Sequence, residues 1–116
     1  MVDRNAKTVK KILTNINKIL DYCDGVSEKE FMGDMKLVDA CALNLIQIGE
    51  LAKAIDSDFE ETHSEIAWHQ IRGLRNKIVH DYEGLNLIRI WAVVSEDLPD
   101  LKQRLKNNEF FRDGHR

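Results

Sequence analysis

Proline occurs once in this sequence, at position 99, and no stretch is rich in glycine and serine. Without a linker of either kind there is no internal boundary, and 116 residues, read as residues 1–116, suffice for one compact domain but not for two ordinary ones. Long apolar runs are missing as well: no charge-poor segment approaches the ~20 residues that cross a bilayer. The first residues, M-V-D-R-N-A-K, lead into an amphipathic stretch and lack the apolar centre of a signal peptide. The expectation is a cytoplasmic protein with no membrane contact. Two cysteines, Cys23 and Cys41, form no metal or redox motif and read as ordinary reduced thiols. There is no glycine-rich phosphate loop and no nucleophile elbow, and His63 and His69, six apart, do not match a zinc spacing, so no metal is expected. Positive charge is not in excess. A formal net charge of −3 argues against a non-specific coat on nucleic acid, which is normally basic overall, though not against a small basic cleft. Finally, alternation with period two is absent, so no sheet is expected.

What is present is helical periodicity. Asp3 reads as the cap of a first helix, in which Val9, Ile12, Leu13, Ile16, Ile19 and Leu20 form one apolar stripe. Gly25 ends it. Ser27 and Glu30 make a capping box for a short helix, broken at Gly33 with Asp34 as a new cap. Residues 35–55 are apolar over more than one face, which predicts a central helix, and Gly49 within it allows a close neighbour. Residues 56–64 are acidic and read as a solvated loop or one helical turn. Ser64 then caps a helix over 65–79, Gly84 marks its end, and Asn86 caps the next. Pro99 kinks that last helix or starts a new segment, with Leu101 and Leu105 continuing the apolar face. Residues 108–116 read as a frayed tail. The fold class is all-α, a four- to five-helix up-and-down bundle.

Chemistry concentrates in residues 72–84, R-G-L-R-N-K-I-V-H-D-Y-E-G. At about 100° per residue, Trp68, Ile71, Leu74, Arg75, Ile78, Val79 and Tyr82 fall within about 140° of one another, a stripe that predicts burial and contains Arg75. Arg72 sits near its edge, Asn76 and His80 lie on an adjacent face, and Lys77, Gly73 and Asp81 point away. A guanidinium inside an apolar stripe needs its charge met. A structural ion pair would do so, or a stem reaching solvent. Alternatively the stripe faces a cleft or a second copy of the chain, where the planar fork of arginine suits phosphate. Histidine readily gives and takes a proton at neutral pH, although a lone helical histidine is often structural. Arg75 and His80 are about 140° apart on one helix and cannot grip one phosphate from it. Either the helix unwinds after Val79, or two copies line one groove.

Arg75, His80 and Tyr82 follow the spacing R-x4-H-x-Y, and this resembles the signature of HepT-like proteins of the HEPN superfamily. Asn76 after the arginine, the wider W-H-Q-I-R-G-L-R-N-K-I-V-H-D-Y, and the later I-W-A-V-V-S-E-D-L-P-D-L extend the resemblance over nearly the whole chain. It implies an all-α homodimer with the motif cleft at its interface, acting as a metal-independent ribonuclease toxin of a toxin–antitoxin pair. It further implies an MntA-like minimal nucleotidyltransferase antitoxin as partner, which transfers AMP from ATP to Tyr82 and silences the toxin. This chain itself would need no cofactor. Carried over by residue, His80 moves the proton of a ribose 2′-hydroxyl, Arg75 holds the scissile phosphate, and Asn76 orients either group. Arg72 and Lys77 match flanking phosphate-binding positions more loosely. A non-catalytic module binding a nucleotide or nucleotidyltransferase fits the same residues, as does a plain helical dimer with a structural Arg75.

Overall fold

Asp3 opens the first helix as its sequence suggests, its carboxylate accepting from the Asn5 amide at 2.9 Å. The computed structural model describes residues 3–107, so the tail expected over 108–116 lies outside the described residues. Helix α1 spans Arg4–Tyr22 and buries Val9, Ile12, Leu13, Ile16 and Ile19 of the expected stripe, with Leu20 partly buried at its edge. The chain turns at Gly25, whose φ of +73° suits glycine. The short α2, Glu28–Met32, carries the expected capping box: Ser27 accepts from the Glu30 amide at 3.1 Å, and Glu30 accepts from the Ser27 amide at 2.9 Å. Asp34 then caps α3, Met35–Ala52, by accepting from Leu37 at 3.1 Å.

The remaining elements are α4 (Ser57–Thr62), α5 (Trp68–Arg72), α6 (Leu74–Glu83), α7 (Leu87–Ala92), a π-helical turn (Val93–Asp97) and α8 (Leu98–Lys106). No strand occurs among the described residues, and none of their helices is long and apolar enough to cross a membrane. Although the segments outnumber the four or five helices expected, the main ones compose four rods, α1, α3, α5 with α6, and α7 through α8, with α2 and α4 as short helices in the connections. Long-range contacts fix their directions. Asn5 of α1 hydrogen-bonds to Asp56, just past α3, while Cys23 after α1 meets Cys41 early in α3, so these two rods run antiparallel. Tyr82 meets Asp39 and Arg75 meets Glu50, so α6 runs antiparallel to α3. Arg104 of α8 reaches the Glu65 carbonyl, and Trp91 of α7 packs on Phe31 with ring centroids 5.0 Å apart, which brings the fourth rod back. One core fills the middle, with Ile12, Ile16, Val38, Leu45, Ile48, Ile78, Ile90 and Leu105 fully enclosed.

Three expected boundaries shift. The central helix ends at Ala52 instead of Ile55. The helix expected over 65–79 does not start at Ser64. Residues 63–65 turn first, because the His63 carbonyl accepts both the Ile66 amide (3.2 Å) and the Trp68 indole (3.0 Å), and α5 begins at Trp68. Gly73 then separates α5 from α6, which continues to Glu83, so there is no unwinding after Val79. Pro99 lies in the first turn of α8, and the π-turn just before it widens the backbone where the proline ring would meet the Ser95 carbonyl. Cys23 and Cys41 have sulfurs 3.6 Å apart, and burial pushes both thiols up, which leaves them protonated and weakly nucleophilic at neutral pH.

Leu85 stands at φ +54° with 67% of its surface exposed, while the neighbouring Gly84 has an ordinary φ of −82°. A side chain in the left-handed region costs about 1–2 kcal/mol. Leu85→Gly is therefore expected to raise stability by about 0.5–1 kcal/mol after glycine's entropy is deducted. Urea unfolding checks this: a midpoint at or below that of the wild type would show that Leu85 packs favourably enough to offset its backbone.

Candidate functional site

Within α6 the inward line is Leu74, Ile78 and Asp81, with Ile78 fully enclosed and Asp81 only 2% exposed. Asp81 does not point away, as the helical wheel expects. Because α7 packs on that side, its carboxylate is enclosed and takes Lys77 of its own helix at 3.2 Å and Arg89 of α7 at 3.4 Å. These bonds tie the H-D-Y segment to the next rod.

Arg75 corrects the second half of the wheel. It is not buried in the stripe: its side chain is 47% exposed. Within α6 the buried line runs through Leu74, Ile78 and Asp81, and Arg75, about 100° round the helix from Leu74, falls outside it. Only the backbone of Arg75 is tightly packed. A Cβ on Gly49 would stand 2.7 Å from the Arg75 amide nitrogen, so glycine at that place in α3 is what lets α6 lie so close. The guanidinium turns outward, donates to Asn76 Oδ1 at 3.0 Å, and has Glu50 Oε1 3.6 Å from its Nε. Both members of the Glu50 pair are about half exposed, so the pair is screened and weak. An incoming phosphate can displace Glu50 and keep Asn76.

Asn76 and His80 are exposed, one turn apart on the outer face of α6. Among the described residues the His80 ring has no hydrogen-bond or ion-pair partner. Arg75 and His80 remain about 140° apart on a regular helix and do not converge within one protomer. Tyr82 is half-buried, as its place in the stripe implies, and its hydroxyl donates to Asp39 Oδ1 of α3 at 2.6 Å. The Asp39 carboxylate holds the Tyr82 phenol above its ordinary pKa. The two weaker phosphate-binding candidates are engaged with carboxylates: Arg72 with Glu60 of α4, and Lys77 with Asp81. Glu60 is thus not part of a wholly solvated acidic loop. A cleft of about 380 Å³ between α5, the start of α6 and α8 includes none of Arg75, Asn76, His80 or Tyr82 in its lining. Among the described residues no three His, Cys, Asp or Glu side chains cluster as metal ligands.

A family model described as "Ribonuclease HepT-like" matches residues 12–107, from the middle of α1 to the end of the fourth rod. The chain belongs to the HepT-like ribonuclease family. Its curated relatives include "Putative RNase TTE0752" of Caldanaerobacter subterraneus subsp. tengcongensis, 32% identical over 98 residues that cover 84% of this chain and 88% of the relative. "Probable ribonuclease HepT" of Thermococcus cleftensis is also 32% identical over 98 residues, covering 84% of this chain and 89% of that protein. No solved structure matches the chain.

In this HepT-like chain the structure adds two residues that the sequence reading passed over. Asp39 and Glu50 both lie on the exposed side of α3, against Tyr82 and Arg75 respectively. A signal was available, since Asp39 and Glu50 are the two carboxylates in α3, a mostly apolar helix.

Proposed function

We propose that this chain is a metal-independent endoribonuclease and the toxin of a two-gene toxin–antitoxin system, working as a homodimer with the motif of each copy at a shared cleft. The supporting observation is that Arg75, Asn76 and His80 stand exposed on one helix, with the guanidinium held by Asn76 and the imidazole unengaged. In this reading His80 takes the proton of a ribose 2′-hydroxyl as its oxygen attacks the adjacent phosphorus. The bond to the 5′-oxygen breaks, and a protonated imidazole returns a proton to that leaving oxygen. Arg75 holds the scissile phosphate and stabilises the charge that builds on it, and Asn76 keeps the guanidinium aimed. Products are a 2′,3′-cyclic phosphate and a 5′-hydroxyl, with no cofactor bound by this chain.

A second copy supplies what one helix cannot. In this reading a two-fold axis beside α6 would bring Arg75 of one protomer near His80 of the other, and the exposed Leu43 on the neighbouring face of α3 offers apolar area for such contact. The further partner is an MntA-like nucleotidyltransferase that uses ATP to place AMP on Tyr82. A bulky anionic group there opposes RNA entry by size and by charge. Arg72 and Lys77 contribute to flanking phosphates only by leaving Glu60 and Asp81.

The test is RNA incubated in EDTA with protein whose intact mass carries no AMP. Fragments ending in cyclic phosphate are the expected result. A folded, dimeric and unmodified protein that leaves RNA intact would overturn the nuclease reading and favour a module that only binds.

A further inference from the structure

Between α3 and α6 a side-chain hydrogen bond runs from Tyr82 to Asp39, joining residues 43 apart in sequence. At 2.6 Å it lies in the range of a hydroxyl donating to a charged carboxylate. Asp39 is exposed, and among the described residues no cation pairs with it. A carboxylate so placed is open to solvent and can pass a proton on to water. Tyr82 is only half-buried, so a second molecule can reach the hydroxyl from the solvent side.

We propose that Asp39 is the general base for nucleotide attachment at Tyr82, accepting the hydroxyl proton as the phenolic oxygen attacks. This rests on the reading above that Tyr82 accepts AMP. In the step, Tyr82 Oη forms a bond to the α-phosphorus of ATP. The bond from that phosphorus to the bridging oxygen breaks, and pyrophosphate leaves with the electron pair. The phenolic proton moves to Asp39 Oδ1 and then to water. The toxin thereby contributes part of the chemistry of its own silencing, and the attacking oxygen is held with its proton already directed at an acceptor.

The direction of the tyrosine shift makes the role separable from two simpler ones. Asp39 holds the phenol above its ordinary pKa, so no phenolate waits at neutral pH and the proton has to leave during the attack. Asparagine at position 39 retains an oxygen that accepts the hydrogen bond but takes no proton. If Asp39 only positions Tyr82, Asp39→Asn behaves as the wild type. If a preformed phenolate reacts, Asp39→Asn is faster, because removing the charge makes the phenol more acidic. As a base, Asp39 makes the variant slower.

The experiment follows transfer from ATP labelled at the α-phosphate by the cognate nucleotidyltransferase, with full-length wild type, Asp39→Asn, Asp39→Ala, Asp39→Glu and Tyr82→Phe as acceptors. The expected result is no label on Tyr82→Phe, and kcat lower by about 10² to 10⁴-fold for both the Asn and Ala variants. The KM for ATP and the melting temperature stay unchanged, and Asp39→Glu recovers part of the rate. Asn equal to or faster than the wild type overturns the base role alone. A wild-type chain that takes no label overturns the modification reading, and the base role with it.

Discussion

His80→Ala is expected to reduce RNA cleavage by about 10² to 10⁴-fold, the usual contribution of a positioned acid–base group, without lowering the melting temperature. Stability should hold because the His80 ring is exposed and bonds to nothing among the described residues. Arg75→Ala should lose a comparable factor through the phosphate, and Arg75→Lys should recover little, because an ammonium cannot reproduce the bidentate fork. The stability cost of Arg75→Ala distinguishes a catalytic from a structural arginine. A buried structural arginine would cost several kcal/mol on removal through its stranded partner. Here the pair with Glu50 is half exposed, so a change below about 1 kcal/mol is expected. Product analysis in EDTA and a thermal melt on the same samples suffice. His80→Ala protein that cleaves at the wild-type rate would remove the residue from the mechanism.

Gly49→Ala is the larger structural prediction. The added methyl would sit 2.7 Å from the Arg75 amide nitrogen, 3.2 Å from its Cβ and 3.4 Å from its Cα. Two of these are backbone atoms, so no side chain can swing aside and α6 itself has to move off α3. Overpacking of this kind costs about 1–3 kcal/mol. Alanine's better helix propensity returns up to about 1 kcal/mol of that, so a net loss of about 1–2 kcal/mol is expected. The melting point should fall by several degrees, since for a chain of 116 residues about 1 kcal/mol corresponds to about 4 °C. Cleavage should fall further than stability explains, because the clash lies at the residue that carries the guanidinium, and a displacement near ~1 Å can cost about 10²-fold. Unchanged melting and unchanged cleavage would mean that α6 slides freely, and that Gly49 is not what sets the position of Arg75.

Legibility in the sequence follows the range of the interaction. The caps at Asp3, Ser27 and Asp34 form as read, because each involves residues two or three apart. The buried stripe of α1 also holds, since one helix of regular pitch carries it. The need for glycine at position 49 is visible as an anomaly, though not the partner that requires it. The wheel over 68–82 errs at two residues. Asp81 is seven positions after Leu74, only about 20° from it around the helix, so it shares the inward line once α7 covers that side, while Arg75 lies about 100° from Leu74 and turns out beside α3.

By itself, then, the sequence determined an all-helical domain, its membership by resemblance in the HepT-like family, and the candidate set Arg75, Asn76, His80 and Tyr82. The first follows from helical periodicity, and the other two from the resemblance of the R-x4-H-x-Y pattern to that family's signature. Tertiary structure decided that Arg75 is exposed and Asp81 enclosed, that Arg72 and Lys77 are held by carboxylates, and that Tyr82 meets Asp39. Each of these depends on the packing of a second element, and the angle and distance of that packing are set by the whole core rather than by any local run of residues.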